Sequence, residues 1–145
     1  MADKPFRCKL ITPESRVFDA SVSYASVPMW DGARGFMASA GAIVGKLGAG
    51  ALRVEFVDRY ELGVKLQESG SKQWFIDGGF MQFVDNTLTI LAGGAIEAAE
   101  LDEAKASAEL SQAEARTSSN LQEMDRITAD RSRARAKLAM IHARR

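Results

Sequence analysis

The residues that could do chemistry in this chain are few and far apart. His142 is the one histidine and Cys8 the one cysteine, and they lie near opposite ends of the sequence. A zinc site needs about four such ligands, and an activated nucleophile needs a neighbouring base. No Gly-x-Ser-x-Gly elbow occurs either. We therefore predict no metal site and no catalytic residue, with His142 a solvated residue at a helix end and Cys8 an inward-facing core residue.

Two further motifs could suggest a ligand. The glycine-rich stretch 45–50 contains Lys46, but it lacks the Lys-Ser/Thr ending and the following helix of a phosphate-binding loop. We interpret it as a loop between strands. An aromatic set could stack on nucleic acid, but no basic stripe accompanies it, so most of its members are expected in the core: Trp30, Trp74, Phe36, Phe56, Phe75 and Phe80.

Composition sets the limits of size and partner class. The chain has 145 residues, 46% hydrophobic and 26% charged, which suits a soluble globular protein with one domain and an appendage. Lys plus Arg equals Asp plus Glu, at 19 each, so the molecule as a whole has no electrostatic attraction to nucleic acid or anionic lipid. The polar start and the lack of a long apolar stretch predict a cytosolic-side protein without a membrane anchor.

Residues 6–92 have the pattern of an all-β sandwich or barrel, because short strand-like runs alternate with turn residues. Asp85 and Asn86 tolerate left-handed backbone and predict a tight hairpin. The pair Gly78 and Gly79 predicts a bend, a bulge or a close backbone approach. The clearest predicted strands are 6–11, 22–27, 51–57, 73–77, 79–84 and 87–91.

The composition after Gly94 changes to helix formers, with no proline or glycine up to Arg145. Polar residues at 117–120 interrupt it, so two helices are predicted. Asn120 and Glu123 have the spacing of a capping box, which starts the second helix at Leu121.

The two predicted helices have complementary faces. The second has an apolar stripe, and the first offers a face of small residues. The members of the stripe are Leu121, Met124, Ile127, Ala134, Leu138 and Ile141, and those of the facing side are Leu101, Ala104, Ala108 and Ala115.

The charges of the two helices also differ. Acids crowd the first helix and bases the end of the second, so antiparallel packing brings them together. The acids are Glu97, Glu100, Asp102, Glu103 and Glu109, and the bases are Arg131, Arg133, Arg135, Lys137, Arg144 and Arg145. Such a thin pair buries little apolar area, so it is a candidate mobile element.

Several segments, in this order, resemble the epsilon subunit of bacterial ATP synthases over nearly the whole chain. Residues 10–18 and 22–28 are similar to the family's first two strands. Residues 76–83 and 86–92 are similar to its double-glycine strand pair, and residues 95–97 and 100–106 to its entry into the first helix. The family's Pro-Gly-His loop is missing at 32–42, where this chain has a different sequence.

The resemblance implies a fold and a function. The fold is a segregated α+β chain: a β sandwich or flattened barrel of about ten strands over residues 1–94, followed by an antiparallel helical hairpin over residues 95–145. The β domain would dock on the gamma subunit and the membrane c-ring. As a non-catalytic rotor subunit on the cytoplasmic face of the inner (plasma) membrane, the chain would couple proton translocation to ATP synthesis. Its hairpin would extend into the alpha and beta subunits and inhibit ATP hydrolysis.

Some family members bind regulatory ATP on the folded hairpin through a Leu-Asp-x-x-Arg-Ala motif and distal arginines. Residues 101–106 match this motif except that Lys105 replaces the arginine and loses its two-pronged donor. The resemblance thus leaves two alternatives: a regulatory ATP site, weakened by the lysine, or a hairpin held by ordinary packing without nucleotide. The site would be formed by Asp102, Lys105, Ala106, Arg131 and Arg135, and no other cofactor is expected. The resemblance also implies contacts with acidic partner surfaces through Arg131, Arg133, Arg135 and Lys137.

Two other readings of the sequence stay open. One is a β-sandwich ligand-binding or adapter module that self-associates through its hairpin, which would form a stable homodimer without stalk subunits. The other is an enzyme, which would need a constellation of ionisable groups that the sequence lacks.

Overall fold

The computed structural model describes residues 4–143, as a strand-rich β domain followed by a hairpin of two helices. This confirms the predicted fold class, with nine strands in the described part where about ten were expected. The elements are β1 (Phe6–Ile11), β2 (Arg16–Met29), β3 (Gly32–Phe36), β4 (Ile43–Phe56), β5 (Arg59–Glu61), β6 (Val64–Gln67), β7 (Gly70–Val84), β8 (Thr87–Ala92), β9 (Ala95–Glu97), a 3-10 turn (Ala98–Glu100), α1 (Glu103–Ala115) and α2 (Leu121–Ala143).

Seven strands form one sheet that closes on itself. Its order is β1-β8-β7-β4-β2-β3, and β1 also pairs with β2, while β9 pairs with β7. Strand β1 is antiparallel to β2 and parallel to β8. The remaining strands, β5 and β6, form a separate ribbon. The closed sheet encloses a core in which Cys8 is fully buried, as predicted, and this burial raises the pKa of the Cys8 thiol.

The prediction of a loop at residues 45–50 is wrong, because these residues lie inside β4. Their glycines serve close packing against β2. A Cβ on Gly48 would lie 3.0 Å from the Met29 carbonyl oxygen, and one on Gly50 would lie 3.0 Å from Pro28 Cβ. The stretch is therefore glycine-rich because the two strands approach each other closely. Strands β2 and β4 are accordingly longer than predicted, and 73–77 and 79–84 belong to the single strand β7.

A band of glycines crosses the middle of the sheet and reverses which residues face the core. On β7, Trp74 and Ile76 face inward before Gly78 and Gly79, and Met81 and Phe83 face inward after them. Strict alternation would not allow an odd step between inward residues, so the glycines, at φ +67° and +120°, shift the alternation by one residue. Gly93 and Gly94 produce the same shift between Ala92 and Ala95 in the paired segment. A Cβ on Gly79 would also collide with the Leu91 carbonyl oxygen, which confirms the predicted close backbone approach.

The turn and aromatic predictions are largely confirmed. Asp85 and Asn86 both adopt positive φ, at +50° and +56°, in the hairpin between β7 and β8. Four of the six aromatic residues are buried or half-buried. Trp30 and Phe80 are the exceptions, and both are well exposed.

The helical region begins later than predicted. Residues 95–97 form β9, since their backbone pairs with 74–76 of β7 and continues the ladder of β8 past the glycines. This pairing overrides their helical composition, and α1 starts only at Glu103. Helix α2 starts at Leu121 as predicted, capped by the Asn120 side chain. The Glu123 carboxylate accepts a hydrogen bond from the Ser118 hydroxyl.

The predicted apolar faces need two corrections. Leu121 is 82% exposed, because it occupies the first position of α2, beside the connection between the helices. On α1, Ala104, Ala108 and Ala115 are exposed. The buried small residues are Ala106 and Ala113, two turns apart on another face. The rest of the α2 stripe is buried or half-buried.

Replacing Gly79 by alanine is expected to destabilise the β domain more than replacing Gly78. A Cβ on Gly79 would collide with the Leu91 carbonyl oxygen, whereas one on Gly78 meets nothing within 4 Å. We expect Gly78→Ala to lower the free energy of unfolding by about 1–2 kcal/mol, the cost of left-handed backbone, and Gly79→Ala by about 3 kcal/mol or more. Urea unfolding measures both, and equal losses would contradict the close approach.

Candidate functional site: the junction between the hairpin and the β domain

The two helices of the hairpin are joined by a ladder of contacts between acidic and basic side chains, as the charge pattern predicted. His142 Nε2 lies 3.4 Å from Glu103 Oε1 at one end. Lys137 contacts Glu109 at 3.1 Å in the middle. Arg135 contacts Glu114 at 3.4 Å towards the other end. These pairs show the antiparallel register directly. Arg144 and Arg145 lie outside the described residues.

Side chains at the ends of α1 satisfy its free backbone groups. At the start, Asp102 Oδ1 accepts hydrogen bonds from the backbone N–H groups of Ala104 (2.8 Å) and Lys105 (3.2 Å), which is ordinary N-capping. At the end, the Arg131 guanidinium donates to the carbonyl oxygens of Ala113 (2.9 Å), Glu114 (3.2 Å) and Arg116 (2.9 Å). Arg131 thus acts as a C-cap supplied by the opposite helix.

The hairpin lies on the β domain through a small apolar seam. Its centre is Phe75 of β7, which faces away from the main core and is only 1% exposed. Lys137 adds a cation–π contact, with its Nζ 5.3 Å from the centre of the Phe75 ring. The buried members are Phe75, Leu101, Ala106, Met140 and Ile141, and Ala51, Ile96, Ala98, Ala136 and Leu138 pack around them.

A chain of four alternating charges continues the junction beside this seam. Arg133 Nε donates to Asp77 Oδ1 at 2.9 Å, which joins α2 to β7. Arg133 Nη1 donates to Asp130 Oδ1 at 2.8 Å, and Arg116 Nη1 donates to Asp130 Oδ2 at 2.8 Å. The hydrogen bond from Arg116, together with that from Arg133, holds the pKa of the Asp130 carboxyl below its usual range. The hydrogen bond to Asp77 raises the pKa of Arg133, so this guanidinium stays charged.

The five residues predicted to bind ATP fall into two groups. Asp102, Lys105 and Ala106 lie at the start of α1, whereas Arg131 and Arg135 contact its last residues. The span from Lys105 to Ala113 is about 12 Å at 1.5 Å per residue. Ala106 is buried in the seam, and Arg131 already binds carbonyl oxygens. The ATP site stays a prediction.

The four basic residues predicted to contact partners all have partners within the chain. Arg131 and Arg135 bind α1, and Lys137 binds Glu109 and Phe75. Arg133 reaches Asp77 on the β domain. Sequence reasoning missed Asp77, Asp130 and Phe75 as members of the junction. For Phe75 and Asp77 the sequence offered one signal. The shift in alternation at the glycine pair places both side chains on the outer face of the sheet.

Among residues 4–143, no three His, Cys, Asp or Glu side chains are placed together to hold a metal ion. No helix in the same part of the chain has the length and apolar character needed to cross a bilayer.

Comparison with known proteins gives consistent results. The family model described as the ATP synthase delta/epsilon chain β-sandwich domain matches residues 5–98. The ATP synthase epsilon chain of Rhodopirellula baltica is 34% identical over 107 residues, covering 74% of this chain and 75% of the relative. That of Pelotomaculum thermopropionicum is 32% identical over 116 residues, covering 80% and 78%.

Two solved assemblies contain chains with the same fold. A chain of the Tetrahymena thermophila mitochondrial ATP synthase central stalk and c-ring matches with a TM-score of 0.70 and 14% identity, covering 97% of this chain and 99% of that one. A chain of the Euglena gracilis mitochondrial OSCP/F1/c-ring structure matches with a TM-score of 0.66 and 21% identity, covering 98% and 85%. From the family model and the relatives, we conclude that this chain belongs to the ATP synthase epsilon chain family, of bacterial type.

Proposed function

We propose that this chain is a rotor subunit of the central stalk of an ATP synthase, whose β domain docks on the gamma subunit and the membrane c-ring and whose hairpin restrains ATP hydrolysis. It couples proton translocation to ATP synthesis and is a regulatory rather than a catalytic subunit. It sits on the cytoplasmic face of the membrane and is held there by the complex. The observation that carries the proposal is the match to epsilon chains across most of the chain.

The docked hairpin supports the regulatory part of the proposal. A docked and an extended hairpin can exchange only if the interface between hairpin and β domain is small enough to break. Here the seam has five buried side chains, two of which are Leu101 and Ala106 at the start of α1. Helices α1 and α2 are also joined to each other by the ion pairs Arg135–Glu114 and Lys137–Glu109. In the proposed mechanism, the hairpin separates from the β domain as one body and enters the space between alpha and beta subunits.

An exposed apolar patch on the outer face of the sheet, beyond the glycine band, supports the docking part. Phe80 and Leu91 are cross-strand neighbours on the outer face, and Val44 lies on the same face of β4, two residues from the partner of Phe80. All three side chains are more than half exposed. Contiguous exposed apolar side chains mark interaction surfaces. We assign this outer patch (Val44, Phe80 and Leu91) to the gamma subunit, since the hairpin already covers Phe75 on the other half.

Substitution of the outer patch is expected to weaken binding to gamma. Phe80→Ser and Leu91→Ser should each raise the dissociation constant about tenfold, the usual loss for an interface anchor. Leu62→Ser is the matched control, because Leu62 is 98% exposed at the tip of the β5–β6 ribbon, away from the patch. Calorimetric titration of full-length chain into purified gamma measures the three constants. An equal loss of affinity in all three variants, or no loss in any of them, would contradict the assignment of the outer patch to gamma.

Removal of the hairpin is expected to raise ATP hydrolysis. The truncation should begin at residue 102, which keeps β9 and its pairing with β7. The hydrolysis rate of the head complex with gamma is then measured with full-length and with truncated chain. We expect severalfold faster hydrolysis with the truncated chain and unchanged retention of gamma.

Each other outcome of this experiment has a distinct meaning. Binding to gamma without a change in rate would leave a structural coupler and remove the inhibitory role. A stable homodimer that does not bind gamma would favour the adapter module instead. The full-length Phe75→Ser variant keeps the whole hairpin but weakens its seam with the β domain. It therefore distinguishes the effect of removing the hairpin from the effect of releasing it from the β domain.

A further inference from the structure

We propose that Asp77 and Arg133 form an electrostatic latch that sets how often the hairpin leaves the β domain. The inference rests on the proposed function, because it names the contact that regulates the exchange between docked and extended hairpin. The latch belongs to the junction already described, but it differs in kind from the apolar seam. It depends on charge, so salt and acidic partner surfaces act on it directly.

The Asp77 side of the latch is fixed by the glycine band. Asp77 immediately precedes Gly78, and its backbone N–H donates to the Gly94 carbonyl oxygen at 3.0 Å. Gly93 passes so close that a Cβ there would lie 2.7 Å from the Asp77 carbonyl oxygen. The carboxylate is thus presented from a rigid backbone and points outward, towards α2.

The Arg133 side is held in place by the hairpin itself. Its Nη1 is bound to Asp130, which is bound in turn by Arg116, so the guanidinium keeps its orientation when the hairpin moves away. The side chain is 33% exposed, and much of its freedom is lost before it meets Asp77. Pairing two pre-ordered groups costs less side-chain entropy than pairing two mobile ones. On release, Arg133 still has Asp130 as a counter-ion, and the Asp77 carboxylate is exposed to water.

The other ion pairs of the hairpin respond differently to undocking. Arg135 and Lys137 pair with Glu114 and Glu109, and both partners of each pair belong to the hairpin. These pairs survive when the hairpin separates from the sheet. The Arg133–Asp77 pair is broken by the same movement. Its partial exposure keeps its contribution small, which suits a contact that adjusts a population rather than locking a state.

Thiol labelling of the full-length chain measures the opening of the junction. Ala51 is the cross-strand partner of Phe75 and is half-buried where the hairpin packs, so a thiol introduced by Ala51→Cys becomes more reactive when the hairpin leaves. The native Cys8 is fully buried, and the chain that keeps Ala51 therefore gives the slow background rate. We expect Asp77→Asn and Arg133→Gln each to speed labelling of the introduced thiol about threefold to fivefold.

Three comparisons make the experiment decisive. Arg135→Gln is the matched control, because its ion pair lies within the hairpin, and it should leave the labelling rate unchanged. The double variant with Asp77→Asn and Arg133→Gln should label no faster than either single variant. The parent is the Ala51→Cys chain with Asp77 and Arg133 intact. Raising sodium chloride from about 0.05 M to about 0.5 M should speed labelling of this parent but not of its Asp77→Asn variant. The latch would be overturned if the effects of Asp77→Asn and Arg133→Gln on the labelling rate were additive. It would also be overturned if the parent and the Asp77→Asn variant responded equally to salt.

The latch and the proposed function can fail separately. If Asp77→Asn leaves labelling unchanged, the latch is wrong, while the effect of hairpin removal on hydrolysis still tests the regulatory role. If Asp77→Asn speeds labelling but hydrolysis by the assembled complex stays the same with the parent and with the hairpin removed, the latch exists and the inhibitory function does not.

Discussion

The approach of neighbouring backbones across the glycine band is the constraint on which the rest of the structure depends. At Gly79 and Gly93 the neighbouring backbone comes too close for a side chain, and at Gly48 a Cβ would lie only 3.0 Å from the Met29 carbonyl oxygen. The odd step that the glycines allow on β7 turns Phe75, Asp77 and Phe80 to the same outer side. One face of a single sheet is thereby divided into a half covered by the hairpin and a half that stays open.

The energetics of the half of the outer face that the hairpin covers follow from the small apolar area buried there. Helices faced with alanine contribute few methylene groups, at about 0.8 kcal/mol for each one buried, and a helix pair of this length gains most of its stability from what it packs against. The hairpin compensates with helix caps at Asp102, Asn120 and Arg131 and with ion pairs between its two helices. These contacts hold the two helices to each other independently of the β domain.

The fold was predictable to the extent that local patterns decide it. Turn chemistry located Asp85 and Asn86, and composition separated the strands from the helices. The misplaced elements have tertiary causes: 45–50 is a strand because β2 passes close to it, and 95–97 is a strand because β7 offers a free ladder position. The shift in alternation at the glycines could have indicated an outward-facing Asp77, but its pairing with Arg133, 56 positions away, was beyond reach. The contacts between the charged segments of the two helices were predictable, because two consecutive helices that pack antiparallel place those segments side by side.

The pairing of β1 with β8 has a consequence for how the molecule is made. Arg7 lies opposite Thr87 in parallel register, so the sheet closes only when a strand from the far end of the β domain meets the first one. Contacts between such distant positions form slowly. During synthesis, the first strand must wait, unpaired on that edge, until residue 91 has left the ribosome. The hairpin is translated after every strand of the sheet, so the surface it binds can be complete before α2 exists.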